Sequence, residues 1–176
     1  MRSTIYTSLF AVLLTAPAIA EPTLGCFARD YSDAHLAAHP DQIVDRIWLE
    51  FFKYPPEVFD GDDPYASVRT LTANQGHVAR DGFGGQVFDG GMFCYPDQRR
   101  GGDAWNCSVD CDGGWFQIIR DDGEVLELRT RYVMVGDTET CGGAIDLAER
   151  PQQFVTYRLN RVDDAVCDAV WPDEES

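Results

Sequence analysis

His35 and His39 sit four residues apart, and His77 is the third and last histidine of the chain. On a helix, a spacing of four puts both imidazoles on one face, as zinc and copper sites often need. With His77 folded back onto them, the three nitrogens would suit a metal-dependent hydrolase. Without it, carboxylates must complete the sphere. The segment lacks the glutamate that follows the first histidine in a zinc-protease helix. The expectation is therefore a structural element, with no metal and no cofactor assigned and His35, His39 and His77 kept as candidate ligands. Asp60-Gly61-Asp62-Asp63 clusters carboxylates on a glycine-bearing loop, as calcium sites do, but without the twelve-residue spacing of an EF-hand. Asp110 with Asp112, and Asp121 with Asp122, are weaker cases of the same kind, and all three stretches suit ordinary turns. There is no G-x-S-x-G elbow, no phosphate-cradling glycine loop and no C-x-x-C pair. Arg99-Arg100 before Gly101-Gly102 reads as a basic loop tip. These residues predict no catalytic group, and the chain is expected not to be an enzyme.

Residues 1–20 have the pattern of a cleaved export signal: Arg2, the apolar run Leu9–Leu14, then Ala18-Ile19-Ala20 as a small-x-small site. Residues 21–176 then form one domain, expected in the periplasm or outside the cell. No later apolar run is long enough to span a bilayer. All six cysteines lie beyond residue 20. In an oxidising compartment they predict three disulfides. The formal charge is −16, and −17 once Arg2 is removed. That excludes nucleic acid and anionic membrane surfaces as natural partners and leaves room for cationic ones. Only Lys53 is a lysine in the mature chain, and every other base is arginine.

The elements that must position these groups are mostly strands. Ser32 or Asp33 can cap one short N-terminal helix that Pro40 closes, with Leu36 as its packing anchor. Strands are predicted over Ile43–Phe52, Ser67–Ala73 and Gln86–Tyr95, the last broken by a bulge at Gly90-Gly91. Trp105–Cys111 alternates most clearly. Trp115–Arg120 and Val125–Val135 form a hairpin around Asp121-Asp122-Gly123, with Leu126, Leu128, Thr130, Tyr132 and Met134 facing in. Gly142–Leu147 and Phe154–Leu159 follow, then an irregular acidic tail from Asp163. About eight strands with hairpin-length connections predict an all-β antiparallel meander that closes as a small barrel or folds as a sandwich. Ten phenylalanines, seven tyrosines and four tryptophans can fill it.

Cys107 and Cys111 would lie about 13 Å apart on a straight strand at ~3.3 Å per residue. They cannot bond each other there, because a disulfide needs Cα atoms within about 7 Å. Counting back from the loop 97–103 sets Cys94 opposite Cys107. Cys111 and Cys141 fall near turns at one end of the meander, and Cys26 and Cys167 remain, one near each terminus.

Tyr31-Ser32-x-x-His35-Leu36-x-x-His39-Pro40 and Cys107-x-Val109-Asp110-Cys111-Asp112-Gly113-Gly114 resemble a family of small exported bacterial β-proteins, a likeness that brings no activity with it. Trp105-Asn106-Cys107 and Gly114-Trp115-Phe116 are more faintly similar to periplasmic lysozyme inhibitors of the small β-barrel type. The serine- and lysine-bearing loop of those inhibitors has no counterpart here. The expectation is a non-enzymatic binding domain of unknown ligand. The alternatives are a binder of a cationic protein such as lysozyme, and the hydrolase of His35, His39 and His77.

Overall fold

The computed structural model describes residues 21–59, 61–100, 104–138 and 143–170. The leader, Asp60, the Gly101-Gly102 tip, Cys141 and the end of the acidic tail lie outside them. The chain runs β1 (Gly25–Asp30), α1 (Asp33–Ala38), β2 (Val44–Phe52), β3 (Tyr65–Thr72), α2 (Gly76–Arg80), β4 (Val87–Pro96), a 3-10 turn (Gln98–Arg100), β5 (Trp105–Ser108), β6 (Gly114–Asp121), β7 (Val125–Val135), β8 (Ile145–Asp146), β9 (Val155–Arg161) and α3 (Asp164–Val170). Consecutive strands pair antiparallel from β1 to β7, and β9 bridges β7 back to β1. The result is a closed eight-stranded barrel rather than a sandwich, with β8 outside on the end of β7. Closure leaves the eight strands no free edge.

Period-two patterning explains which side chains turn inward. In β3, Ala66, Val68, Thr70 and Thr72 are buried in strict alternation. Ile47, Leu49 and Phe51 do the same in β2. Phe27, Met92, Phe116, Ile118, Leu126, Leu128, Tyr157 and Leu159 complete the interior. Burying a side chain of this size contributes about 1.5–3 kcal/mol. The space left among Ile47, Leu49, Met92, Phe116 and Leu128 is about 10 Å³, about one water-sized sphere. The barrel is filled.

Several expectations are corrected. Only Trp105–Ser108 of the predicted Trp105–Cys111 strand is strand. Cys111 and Asp112 have φ of 58° and 61°, the left-handed region, and turn the chain. Gly90-Gly91 makes no bulge, since β4 pairs with β3 in unbroken register. A Cβ on Gly90 would lie 3.4 Å from Val135 Cγ1, so the glycine makes room for the end of β7. In β7 the register against β6 shifts between Trp115 and Gln117. The inward set therefore changes phase after Thr130: Val133 and Val135 are buried and Tyr132 is exposed. Three short helices are described where one was expected, and α3 occupies part of the tail read as irregular. No residue of α1 is fully buried, so Leu36 is not a core anchor. No described helix is long and apolar enough to cross a membrane.

Cys94 bonds Cys107 inside the barrel between directly paired residues of β4 and β5. Cys26 bonds Cys167 and holds α3 over the outer face of β1 and β2. Cys111 is disulfide-bonded too, and its expected partner Cys141 lies outside the described residues. These bridges fit an oxidising extracellular environment. Around Cys26 the seam is reinforced by hydrogen bonds. Its N–H donates to Asp164 Oδ1 at 3.0 Å, and its carbonyl accepts from Val162 N–H at 3.0 Å. Arg161 donates to Leu24 O and to Asp164. Gly25, at φ 111°, admits that guanidinium, since a Cβ would stand 2.1 Å from Arg161 Nη2.

The Cys26–Cys167 bridge closes a separation of 141 residues, against 13 for Cys94–Cys107. On the chain-entropy model Cys26→Ser/Cys167→Ser should cost about 4–5 kcal/mol in urea unfolding. A cost under about 1 kcal/mol would show that hydrogen bonds alone hold the seam. Glu50, opposite Cys26 in β2, has its carboxyl raised by burial, then by Asp168 and Asp164. A raised carboxyl means that ionisation costs the folded state more than the unfolded one. That cost is present above the folded value and vanishes as pH falls below the unfolded value. Glu50→Gln should therefore raise the melting temperature at pH 7, and the gain should fade toward pH 3. A gain that persists in acid would assign it to something other than charge.

Candidate functional site

With the interior filled, chemistry is confined to the outer wall. The strand registers align one outward row across five strands: Tyr95, Asn106, Gln117, Arg129 and Thr156. Gln117 is only 4% exposed although it faces outward. Its amide donates to Asn106 Oδ1 at 3.5 Å, and its carbonyl oxygen accepts from Arg129 Nη2 at 3.3 Å. Asp97, just before the 3-10 turn, and Arg99 within it line the space together with Phe154. With Trp115 they enclose a cleft of about 540 Å³, within the size range of small-molecule sites.

Phe154 is 52% exposed, and the guanidinium carbons of Arg129 and Arg131 lie 4.8 and 5.8 Å from its ring centre. Beyond it a second hollow of about 420 Å³ is lined by Arg29, Tyr31, His35, His39, Glu149 and Arg158, among others. Six arginines of this acidic chain are tied to carboxylates: Arg46, Arg69, Arg120, Arg150, Arg158 and Arg161. Among the described residues no carboxylate is in ion-pair range of Arg29, Arg129 or Arg131. The Nε atoms of Arg29 and Arg129 are buried and have no hydrogen-bond partner among the described residues. An unmet buried donor typically costs about 1–3 kcal/mol, so each marks a place where an added acceptor would stabilise the fold. Near Arg29, burial raises the hydroxyl of Tyr31; the guanidinium opposes that rise, and Glu149 adds to it.

The histidines are not gathered. His35 and His39 stack at 4.1 Å between ring centres. The Nδ1 of His39 lies 2.8 Å from the carbonyl oxygen of His35, so that nitrogen must carry the proton and donate. His77 sits on α2, with Nε2 on the carbonyl of Ala148 at 3.1 Å and Nδ1 turned toward Asp81 at 3.9 Å. Among the described residues no three His, Cys, Asp or Glu side chains are grouped to hold a metal. Asp121 instead accepts from Thr23 and Gly123. Asp122 accepts from Glu124, Val125 and Arg120, which are turn contacts. Of the basic tip, Arg99 does line the cleft. Sequence reasoning missed Gln117, Arg129 and Phe154. Alternation marks them as outward, but only strand register shows which outward residues are neighbours.

No family model, characterised protein or solved structure matches this chain.

His35 is lowered by partial burial, then by His39 and Arg29. Its protonation therefore costs the folded state. The stability involved is fully present above the unfolded histidine value of about 6.5 and is lost as pH falls from there through the lower folded value. An NMR titration should place His35 below the ordinary histidine midpoint, and His39→Ala should move it up. A midpoint unmoved by His39→Ala would mean that the stacked rings are not coupled.

Proposed function

We propose that this protein is a non-catalytic recognition domain acting outside the cytoplasm. Its ligand lies in the cleft of Tyr95, Gln117, Arg129 and Phe154 and carries a carboxylate. The observation that carries this reading is Arg129. Its guanidinium lies over Phe154, donates to the amide oxygen of Gln117, and has no ionic partner among the described residues. A carboxylate would supply the planar, two-point partner that guanidinium geometry favours. Trp115 and Tyr95 offer apolar faces for the body of the ligand, and Asn106 and Asp97 offer polar contacts at the rim. A filled interior supports the wall over the lumen as the place of binding. Among the described residues nothing lining the cleft pairs a nucleophile with a base, which supports binding rather than turnover.

Glucuronate and benzoate, set against methyl glucoside and benzamide, form a suitable probe set. The two acids should shift the Trp115 indole and Gln117 amide signals saturably in NMR titrations, and the neutral analogues should not. Arg129→Gln should weaken acid binding by about tenfold or more, since hydrogen bonds to charged groups contribute about 1.5–3 kcal/mol. Equal binding of acid and neutral partners, or acid binding untouched by Arg129→Gln, would refute the reading.

A further inference from the structure

A second part of the wall carries the opposite chemistry. Phe52, Tyr65 and Phe93 are directly paired across β2, β3 and β4 and face outward. Tyr54 and Phe59, from the segment joining β2 to β3, fold onto them. Ring centres lie 4.5 Å apart for Tyr65 and Phe93, 5.0 Å for Tyr54 and Tyr65, and 6.1 Å for Phe59 and Phe93. Tyr54 and Phe59 stay 37% and 41% exposed, and Val58 beside them 69%. Grouped exposed rings of this kind mark interaction surfaces more often than chance.

The edge-on angles decide against one class of ligand. Tyr54 meets Tyr65 at 71°, and Tyr65 meets Phe93 at 72°. The rings share no plane, so they form no continuous flat platform spanning several sugar rings or bases. What they offer is several separately oriented π faces, each with a negative quadrupole. The surrounding charge has the same sign. Asp62 and Asp63 are exposed on the segment leading into β3. They are close enough to act on the Lys53 ammonium, which is itself tied to Glu21. Asp110 acts on the Tyr65 hydroxyl, whose rise is led by burial, then by Tyr54.

We propose that this ring cluster, flanked by Asp62, Asp63 and Asp110, is a docking surface for a basic protein, whose Lys or Arg side chains set against the ring faces. Cations over aromatic faces gain from the quadrupole, and the carboxylates steer their approach. Charge complementarity selects the occupant. A second copy of this chain would bring two surfaces of a −16 molecule together, which like-charge repulsion opposes. The surface is separate from the arginine-lined cleft and does not rest on the cleft's ligand.

The test uses a decaarginine peptide as the probe, followed by calorimetry and by NMR shift mapping on the intact protein. Binding should be saturable, should map to residues 52–65 and Phe93, and should weaken as salt rises from about 50 to about 300 mM, as screening shortens. Tyr54→Ala/Phe59→Ala should weaken it by about tenfold or more, in line with truncated aromatic anchors. Asp62→Asn/Asp63→Asn, which leaves the rings intact and guards against a folding defect in the first variant, should weaken it too. Asp33→Asn/Asp81→Asn removes the same charge from α1 and α2 and should change affinity by less than about twofold. Equal losses in the control pair would show diffuse attraction by net charge and overturn the proposal. Ring truncation without effect in a folded variant would also overturn it. Spermine binding as tightly, with the same ring dependence, would make this a small-polycation site and overturn protein docking.

Discussion

The short seam between β1 and β9 is the joint on which the closed wall depends. Only Phe27 with Arg161 and Ala28 with Asn160 are in ladder register there. Two ladder pairs are a slender closure for an eight-stranded barrel. The chain supplements them from both sides: the Cys26–Cys167 bridge, the Asp164 carboxylate on the Cys26 amide, and Arg161 folded over Gly25. The first two tie the first strand to the last helix, and Arg161 ties it to the last strand. From β1 to β7 each paired strand is the sequence neighbour of the one before it, so each pairing closes a far shorter loop than the seam does. The terminal strands are the pair that must find each other across the whole chain.

Closure around packed side chains fixes where recognition can happen. An unfilled barrel can take a ligand in its mouth. Here Met92, Phe116, Leu128 and their neighbours leave about 10 Å³, and every outward side chain becomes the available chemistry. The wall is not uniform. Arg29, Arg129 and Arg131, which have no carboxylate partner among the described residues, gather around Phe154, on β7 and beside α1. Rings without arginines gather on β2, β3 and β4, among carboxylates. A single net charge hides this segregation, and the −16 total describes neither region.

Most strands from β2 onward and the Cys94–Cys107 pairing are legible because they follow from period-two burial and chain counting; Cys26–Cys167 is the pair left over, and the pattern leaves barrel and sandwich open because β1 carries no clear alternation. The failures have local causes. Trp105–Cys111 alternates convincingly, yet Cys111 and Asp112 adopt positive φ, and backbone handedness leaves no mark in a polar–apolar pattern. Tyr132 and Met134 read as inward when the alternation is carried straight through β7; a register shift against β6 resets the phase. Gly90-Gly91 looked like a break and is continuous strand that yields space to Val135 and Tyr65. The cleft was invisible for a different reason. Tyr95, Asn106, Gln117, Arg129 and Thr156 are spread over sixty-two positions and become one row only once five registers are known.

The preference for arginine over lysine finds a physical cause on this wall. A guanidinium is planar and weakly hydrated, so it can lie against an aromatic ring and still present donors at its edge. Arg29 stands 5.3 Å from the Tyr31 ring centre, Arg46 5.6 Å from Trp48 and Arg129 4.8 Å from Phe154. An ammonium would keep its water, hold one point of charge, and leave those rings more exposed. A closed barrel with a filled interior must place its surplus aromatic residues outside, and stacked guanidinium groups cover them without removing charge from the surface. Lys53, the lysine of the mature sequence, pairs with Glu21 and needs only a point charge. Arginine usage and outward aromatic placement are then one adaptation, and Arg129 on Phe154 is where that cover also faces a cleft.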